Sequence, residues 1–250
     1  TVTDPGGTNH LPMVLDPAPQ NVNNNAVEGA DHLNNIEQVV INNPATGNFT
    51  LSVKGFSIPQ GPQPFYIAYE IIQPSVTVEY PFGTESLVPG ETTNIRWSAY
   101  GGDPDLFTLE YSTDGGAGWN LISNSVASAA RSYSWTVPNT VSKNALIRVT
   151  RNSAGYSDVS DFPFTILGQP LLNISKPCLG YAQLIWKTVT GADKYDVMQL
   201  RADSMQLIAS TTDTSYLVAG LNYDSSYWFS VRAATAGTPG RPARAWNIIP

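Results

Sequence analysis

Residues 227–233 alternate between apolar side chains and other residues, and this pattern constrains the fold more than any other feature of the chain. Tyr227, Phe229, Val231 and Ala233 occupy every second position. Side chains two residues apart point to the same face of a β-strand, so these four define a core face. Similar short segments recur between clusters of Gly, Pro, Asn, Asp and Ser, and no segment shows a convincing helical repeat. The sequence therefore predicts an all-β protein.

Composition indicates several small cores. Charged residues make up 13% and hydrophobic residues 42% of the 250 residues, a low charged share that favours strands and turns. The six Trp, twelve Tyr and eight Phe recur at strand-like spacing and need a folded interior. A chain of this length suits two or three domains. We therefore expect tandem β-sandwich domains.

Turn residues divide the chain into three segments: residues 1–73, 74–167 and 168–250. Residues 20–35 form an Asn-rich loop in the first segment, and residues 167–170 form a short linker before the third. The predicted strands of the first segment are residues 36–41, 48–53 and 65–72. Those of the second segment are residues 76–80, 93–98, 106–112, 132–137, 145–150 and 162–166. Those of the third segment are residues 182–187, 194–200, 205–210, 215–218, 227–233 and a last strand near residues 243–248.

The third segment resembles a fibronectin type III domain. Residues 221–233 read Leu-Asn-Tyr-Asp-Ser-Ser-Tyr-Trp-Phe-Ser-Val-Arg-Ala, which matches the Leu, Ser and Tyr-x-Phe-x-Val-x-Ala spacing of that family, with Tyr223 where the family usually has Pro. Trp186 and Tyr195 complete the core pattern. The resemblance implies a fibronectin type III-like β-sandwich in which Tyr227 is a tyrosine-corner residue, its hydroxyl returning to the backbone across the turn.

The second segment resembles an Ig-like β-sandwich module that is common in exported bacterial proteins. The motifs are Tyr-Ser-Thr-Asp-Gly-Gly-x-x-Trp at residues 111–119, Tyr-Ser-Trp-Thr-Val-Pro at residues 133–138 and Ile-Arg-Val at residues 147–149. The Asp-Gly-Gly turn at residues 114–116 supplies positive-φ positions for a tight hairpin, and Trp119 begins the returning strand.

The first segment resembles the jelly-roll domain that follows the catalytic domain in some subtilisin-like serine proteases. The likeness lies in residues 31–41, in Asn-Pro-x-x-Gly-x-Phe-Thr-Leu-Ser-Val at residues 43–53, and in Gly-Pro-Gln-Pro-Phe at residues 61–65. It covers about the last two thirds of such a domain, and we expect a partial jelly roll whose early strands lie before Thr1. The resemblance implies a protease domain upstream in the same precursor.

A catalytic site is not expected within this chain. A serine hydrolase needs a nucleophile, an imidazole and an orienting carboxylate, and neither a subtilisin-like nucleophile segment nor a Gly-x-Ser-x-Gly elbow is present. The two histidines, His10 and His32, each lie in a predicted loop rich in Asn and Pro. We therefore predict that the chain is not an enzyme. The jelly-roll resemblance implies that its parent protein is a serine endopeptidase.

Calcium is the one cofactor that the sequence suggests. Asp31, Asn34, Asn35 and Glu37 place four oxygen-bearing side chains within seven residues, the hard ligands that Ca²⁺ prefers, and the resemblance to protease jelly rolls implies calcium in this region. The alternative is that these side chains cap their own backbone, as Asp and Asn do in turns. The single Cys178 excludes an intrachain disulfide and is expected to be a half-buried apolar residue.

Five of the six tryptophans raise the alternative of an aromatic platform for sugars: Trp119, Trp135, Trp186, Trp228 and Trp246. At least three of them alternate with other apolar residues and are better interpreted as core. Trp228 points away from Tyr227 and Phe229 and is the best exposed candidate.

Charge narrows the class of partners. A net charge of −7 with only 13 Lys and Arg argues against nucleic acid and anionic lipid. No apolar run reaches the roughly 18 residues of a membrane span, so we expect no membrane insertion. No signal segment opens the chain, so we expect the targeting signal to lie upstream in the precursor. We expect a secreted or cell-surface protein.

These observations predict a non-catalytic accessory region of an exported subtilisin-like serine endopeptidase. The jelly roll would brace the protease domain, and the two sandwiches would space it from a protein or polysaccharide surface or attach it there. The alternatives are a carbohydrate-binding or adhesive array, which predicts an exposed aromatic strip or polar cleft, and a purely structural spacer.

Overall fold

The computed structural model describes residues 1–32, 34–101, 105–152, 155–178 and 180–250, and only the backbone of residues 175–178. Within these ranges every regular element is a β-strand, which confirms the predicted all-β class. The chain divides into two compact units: an N-terminal unit, residues 1–74, and a sandwich unit that contains most of residues 75–250. The expectation for the Cys178 side chain lies outside the described residues.

The N-terminal unit contains β1 (Val2–Thr3), β2 (Asn9–His10), β3 (Met13–Val14), β4 (Val27–Glu28) and β5 (Thr50–Leu51). The sandwich unit begins with β6 (Ser75–Tyr80), β7 (Ser86–Leu87), β8 (Thr92–Tyr100), β9 (Phe107–Ser112), β10 (Asn120–Val126), β11 (Ser132–Thr136), β12 (Ser142–Arg151), β13 (Ser157–Val159) and β14 (Phe164–Ile166). It continues with β15 (Asn173–Cys178), β16 (Tyr181–Ile185), β17 (Lys194–Arg201), β18 (Ser204–Thr211), β19 (Ser215–Ala219), β20 (Tyr227–Thr235), β21 (Thr238–Pro242) and β22 (Trp246–Ile248).

The N-terminal unit consists of two small antiparallel sheets with strand orders β2-β1-β5 and β3-β4. The strands predicted at residues 36–41 and 65–72 do not form, and the one predicted at residues 48–53 shortens to β5. The apolar residues that alternate in this segment do not form a half-buried face, because Phe49, Leu51 and Val53 are 39%, 44% and 54% exposed. Alternation creates an apolar face, but burial of that face requires a second layer. Among the described residues of this unit only Pro12 is buried.

The first sandwich, β6 to β14, packs a sheet of order β11-β8-β6 against a sheet of order β10-β9-β12-β14-β7, with β13 added to β12. Its last strand, β14, pairs in parallel with the short β7. The inward side chains of both sheets form one core. The buried apolar members of that core are Val76, Val78, Leu87, Ile95, Trp97, Phe107, Leu109, Val126, Trp135, Val137, Ala145, Ile147, Val149, Phe164 and Ile166.

The second sandwich, β15 to β22, packs a sheet of order β15-β16-β19 against a sheet of order β18-β17-β20-β21, with β22 also pairing with β20. The face predicted for β20 is confirmed, because Phe229, Val231 and Ala233 are each 0% exposed. The buried apolar members of this second core are Leu167, Leu172, Ala182, Leu184, Trp186, Val189, Tyr195, Val197, Val218, Leu221, Phe229, Val231, Ala233 and Ala243.

Both sandwiches share one strand arrangement. When the short β7, β13 and β22 are set aside, the first, second and fifth strands of each sandwich form one sheet, and the third, fourth, sixth and seventh form the other. Two antiparallel sheets divided in this way are the architecture of Ig-like and fibronectin type III sandwiches. The strand order therefore gives both sandwiches the predicted fold class.

Two local predictions are confirmed in detail. At the β9–β10 hairpin Gly115 and Gly116 adopt φ values of 76° and 93°, the left-handed region that favours glycine. In the second sandwich the Asn222 backbone N–H donates to the Tyr227 hydroxyl at 2.9 Å, which is the tyrosine-corner contact. The Tyr195 hydroxyl accepts a similar bond from the Val189 backbone N–H at 2.8 Å.

Candidate functional sites

The four residues predicted to bind calcium lie in one segment of the N-terminal unit, residues 31–37, whose described residues have no regular secondary structure. Asp31 is half-buried, and Asn34, Asn35 and Glu37 are exposed. The Asp31 Oδ1 atom accepts the Asn34 backbone N–H at 3.1 Å, and Oδ2 accepts the Asn34 side-chain amide at 2.7 Å. Asp31 therefore caps its own turn. Among the described residues no group of three or more His, Cys, Asp and Glu side chains could hold a metal ion.

The two histidines occupy unrelated environments. His10 lies in β2, not in a loop as predicted, with its ring nitrogens 3.5 Å from Asp4 and 3.4 Å from Glu28. His32 stacks on Phe56 with ring centroids 3.9 Å apart. A histidine flanked by two carboxylates offers no hydroxyl or thiol nucleophile, so the contacts of His10 are those of a structural polar cluster.

The tryptophans do not form a shared exposed strip. Trp135 and Trp186 are 5% and 4% exposed and belong to the two cores. Trp228 is 42% exposed, as predicted, and Trp246 is 48% exposed. The β20–β22 register pairs Phe229 with Trp246 and Trp228 with Asn247, which places the two exposed indoles on opposite faces of the sheet.

Trp119 belongs to a charged cluster on the outer face of the first sandwich. The Arg148 guanidinium carbon lies 4.1 Å from the centroid of the Trp119 ring. The same guanidinium donates to Glu110 Oε2 from Nε at 2.7 Å and contacts it from Nη2 at 2.6 Å. All three partners are therefore already engaged, so the cluster offers little polar capacity to a ligand.

Arg241 joins the two sandwiches through a set of hydrogen bonds that the sequence did not predict. From β21 it donates to both carboxylate oxygens of Glu91, at 2.6 and 2.8 Å, and to the Ser86 backbone carbonyl at 2.8 and 3.1 Å. Glu91 also accepts the Val88 backbone N–H at 2.7 Å. Because Arg241 and Glu91 are 150 residues apart, no spacing motif could have revealed the pair.

The predicted linker at residues 167–170 is packed rather than loose. Leu167 is 0% exposed, and its backbone N–H donates to the Leu87 carbonyl at 3.0 Å. Nearby, Gly191 has a φ of +79°, and a Cβ there would lie 2.8 Å from a Val141 methyl group. The close approach of these two chain segments needs a residue without a side chain.

A buried carboxylate organises one end of the outer face of the second sandwich. Asp196, whose side chain is 6% exposed, accepts the Ser210 hydroxyl at 2.7 Å and Arg232 Nε at 3.1 Å, and lies 3.5 Å from Lys194 Nζ. Burial raises the pKa of Asp196, but the two hydrogen bonds and the charges of Lys194 and Arg232 outweigh it and hold the pKa below its ordinary value.

An apolar patch occupies the rest of that outer face. The β17–β18 register pairs Met198 with Leu207 and Leu200 with Met205, and Leu200 follows Gln199, which pairs with Phe229. Trp228 precedes Phe229 and so lies on the same outer face as Leu200. Leu200, Leu207 and Trp228 are 37%, 54% and 42% exposed, and Met198 and Met205 are half-buried. We call these five residues the outer apolar patch.

A shallow groove of about 360 Å³ lies beside β18 and β19, on the other side of the same sheet. Its lining includes Gln199, Arg201, Ile208, Tyr216 and residues 217–221, and ends at Tyr227. Arg201 is the one charged side chain among these lining residues. Its Nε donates to Gln199 at 3.3 Å, and among the described residues it forms no ion pair.

Comparison with protein-family models finds no match, and neither does comparison with curated proteins. Among solved structures the chain is similar to a two-domain fibronectin type III segment of chicken tenascin, with 15% identity, 71% of this chain and 99% of that chain covered, and a TM-score of 0.42. It is also similar to the FN1–FN3 domains of chicken CNTN1, with 16% identity, 70% and 64% coverage and a TM-score of 0.31. A mutant of FN3tt shows 23% identity, 32% and 91% coverage and a TM-score of 0.30.

The fold assignment rests on the strand order described above. Within the described residues no helix is long and apolar enough to cross a membrane.

Proposed function

We propose that this chain is a non-catalytic accessory region of an exported protein, in which the two sandwiches form one rigid element that spaces or attaches a neighbouring domain. The observation that carries the proposal is the bond set of Arg241 with Glu91 and Ser86. A spacer transmits position only if its parts do not rotate freely. Interfaces between domains of one chain permit relative motion unless they are well held.

The junction has the features that restrict such motion. Arg241 makes a two-point contact with Glu91, which fixes direction as well as distance. The Ser86 hydroxyl donates back to the Pro239 carbonyl at 3.2 Å. Leu167 belongs to the core of the second sandwich, while its backbone N–H bonds to Leu87 in the first. Charged and polar contacts therefore join the same two sandwiches, and Val141 of the first sandwich packs against the core of the second.

A finer proposal names the neighbouring domain as a subtilisin-like serine endopeptidase and places the protein outside the cell or at its surface. It is supported by the jelly-roll likeness of residues 31–41, 43–53 and 61–65. On this proposal the N-terminal unit contacts the protease domain, and the sandwiches face a protein or polysaccharide surface. Calcium at Asp31, Asn34, Asn35 and Glu37 would belong to the contact region.

The spacing proposal is tested by measuring the distance between the sandwiches. Cys178 is changed to Ser, and nitroxide labels are placed at Leu121→Cys in β10 and Leu207→Cys in β18, both exposed positions. We expect a narrow electron-spin distance distribution, which broadens in Arg241→Ala. The matched control is Arg148→Ala, which removes an Arg–Glu pair inside one sandwich and should leave the width unchanged. Equal, broad distributions with and without Arg241 would contradict the proposal.

A further inference from the structure

Among the described strands of the sandwich unit, the longest strand at a sheet edge is β18. It spans eight residues, Ser-Met-Gln-Leu-Ile-Ala-Ser-Thr, without a proline or a charged side chain. Within the described residues it pairs only with β17, so its other edge presents free backbone N–H and C=O groups. Such an edge is a template for another strand, and natural proteins usually protect edges with Lys, Pro, bulges or short length.

The other edges of the two sandwiches carry such protection. Strand β10 is uncharged but has two register shifts, whereas β18 has one. Strands β15 and β21 contain prolines, β7 has two residues, and β11 and β19 have five each. Strand β6 contains Glu79. With one register shift and no proline or charged side chain, β18 is the longest and least protected of these edges.

The two sides of the sheet next to β18 suit the two faces of an added strand. Side chains on an added strand would point alternately to the two sides of the sheet. On one side they would extend the outer apolar patch beyond Met205 and Leu207. On the other side they would enter the groove, where Arg201 is the one charged lining residue. A carboxylate on the added strand is the complement of that guanidinium.

We propose that β18 binds an extended peptide segment of a partner protein by strand addition, with apolar side chains over the outer apolar patch and a carboxylate at Arg201. Backbone hydrogen bonds supply affinity in this mode, and alternate side chains supply specificity. A second copy of the chain fits less well, because the groove has sheet walls on both sides and admits a single strand more readily than the two-layered edge of a sandwich. The proposal goes beyond the spacing function and does not depend on it.

The test uses defined peptides and the whole chain. The probe is a fluorescent, C-terminally amidated Thr-Val-Thr-Val-Thr-Val-Glu peptide, compared with a version ending in Lys and with one whose central Val is Pro. We expect the Glu peptide to bind about two- to fivefold more tightly than the Lys peptide, the scale of an exposed ion pair, and the Pro peptide to lose binding. Hydrogen exchange should slow at the amides of β18.

Variants locate the contact. Leu207→Lys places a charge on the edge and should weaken binding about tenfold. The matched control is Leu121→Lys, which changes an equally exposed leucine at the corresponding strand of the first sandwich and should have no effect. Arg201→Glu should reverse the preference between the Glu and Lys peptides. If Leu207→Lys loses its near-ultraviolet circular dichroism, it is not folded and cannot report on binding. The peptide preference of Arg201→Glu then tests the proposal.

Several results would overturn the proposal. They are absence of binding by every peptide, equal effects of Leu207→Lys and Leu121→Lys, or an unchanged peptide preference in Arg201→Glu. Sedimentation of the chain alone supplies one more. A concentration-dependent dimer that Leu207→Lys dissociates would assign β18 to a second copy instead. The spin-label experiment on Arg241 is independent of all these outcomes, because it measures the distance between the two sandwiches and not binding at the β18 edge.

Discussion

The N-terminal unit and the second sandwich contain the same sequence pattern with opposite results. Phe49, Leu51 and Val53 alternate like Phe229, Val231 and Ala233, yet the first three are 39% to 54% exposed and the last three are 0% exposed. Strand β20 lies between β17 on one side and β21 and β22 on the other, and it faces a second sheet. Strand β5 pairs only with β1 among the described residues. Alternation thus defines which residues can share a face. A second layer decides whether that face is buried.

The two regions are also held together by different interactions. Burial of a large apolar side chain stabilises a fold by about 1.5–3 kcal/mol, and the sandwiches gain this many times over. In the N-terminal unit the described contacts include short strand pairs and local turns. Asp4 accepts the Thr8 backbone N–H at 2.8 Å, and Asp16 accepts that of Ala18 at 2.9 Å. These bonds hold the pKa of each carboxyl below its ordinary value.

The largest expected effect is the difference between a core and a surface aromatic residue. Trp97 is 1% exposed and meets Phe107 edge to face, with ring centroids 5.5 Å apart. We expect Trp97→Ala to lower the free energy of unfolding of the sandwich unit by about 3–5 kcal/mol, because it leaves a cavity. Phe49→Ala should change stability by less than about 0.5 kcal/mol.

Urea titration measures both variants. Tryptophan fluorescence reports only the sandwich unit, since all six tryptophans lie at or after Trp97, and far-ultraviolet circular dichroism reports the whole chain. A cost for Phe49→Ala close to that of Trp97→Ala would break the comparison. It would mean that the N-terminal unit has a core of its own.

The sequence predicted the sandwich strands well where apolar alternation was strong. Strands β9, β12, β17, β18 and β20 form where they were expected, because their inward residues meet an opposing sheet. Strand β10 was missed because its residues are mostly polar and its pairing is interrupted twice. Strands β15 and β21 were missed because each contains proline, which is tolerated at sheet edges but weakens the sequence pattern of a strand.

The candidate sites were less predictable than the strands, because they depend on contacts between distant residues. The exposure of Trp228 followed from its place between Tyr227 and Phe229. The Arg241–Glu91 contact depends on how two sandwiches pack, and nothing local marks either residue. The uncharged run in β18 was visible in the sequence, but its position at a sheet edge follows only from strand order.

A smaller difference is expected between the two regions in how one carboxylate affects the pH dependence of stability. Since the pKa of Asp196 is lowered in the folded state, its stabilising contribution is present above the ordinary Asp pKa near 4 and is lost as the pH falls below it. We expect Asp196→Asn to cost about 2 kcal/mol at neutral pH, through lost charged hydrogen bonds, and to flatten the acid limb of stability. Urea titrations of the sandwich unit from pH 7 to pH 3 measure this.

The matched control is Asp16→Asn in the N-terminal unit. The pKa of Asp16 is lowered by bonds from Ala18 and Asn21, but the group is exposed. The Asp16→Asn variant should leave the pH dependence of the stability of the sandwich unit unchanged. An acid limb that is equally steep in Asp196→Asn and the wild type would show that another group controls it.

The smallest expected effect concerns calcium, which would give the N-terminal unit a ligand where only Pro12 of its described residues is buried. Both Asp31 oxygens bond to Asn34, so an ion bound by Asp31 must replace or share these contacts. We expect millimolar Ca²⁺ to shift the amide resonances of Asn34, Asn35 and Glu37 in a saturable way and to slow hydrogen exchange there, as a ligand of the folded form does. Mg²⁺ should do so less, because it demands a stricter geometry.

The double variant Asp31→Asn with Glu37→Gln should abolish the shifts. Shifts that never saturate, or that survive in the double variant, would leave the Asp31 turn as a backbone cap, and the N-terminal unit would then depend on its local turns or on a partner domain.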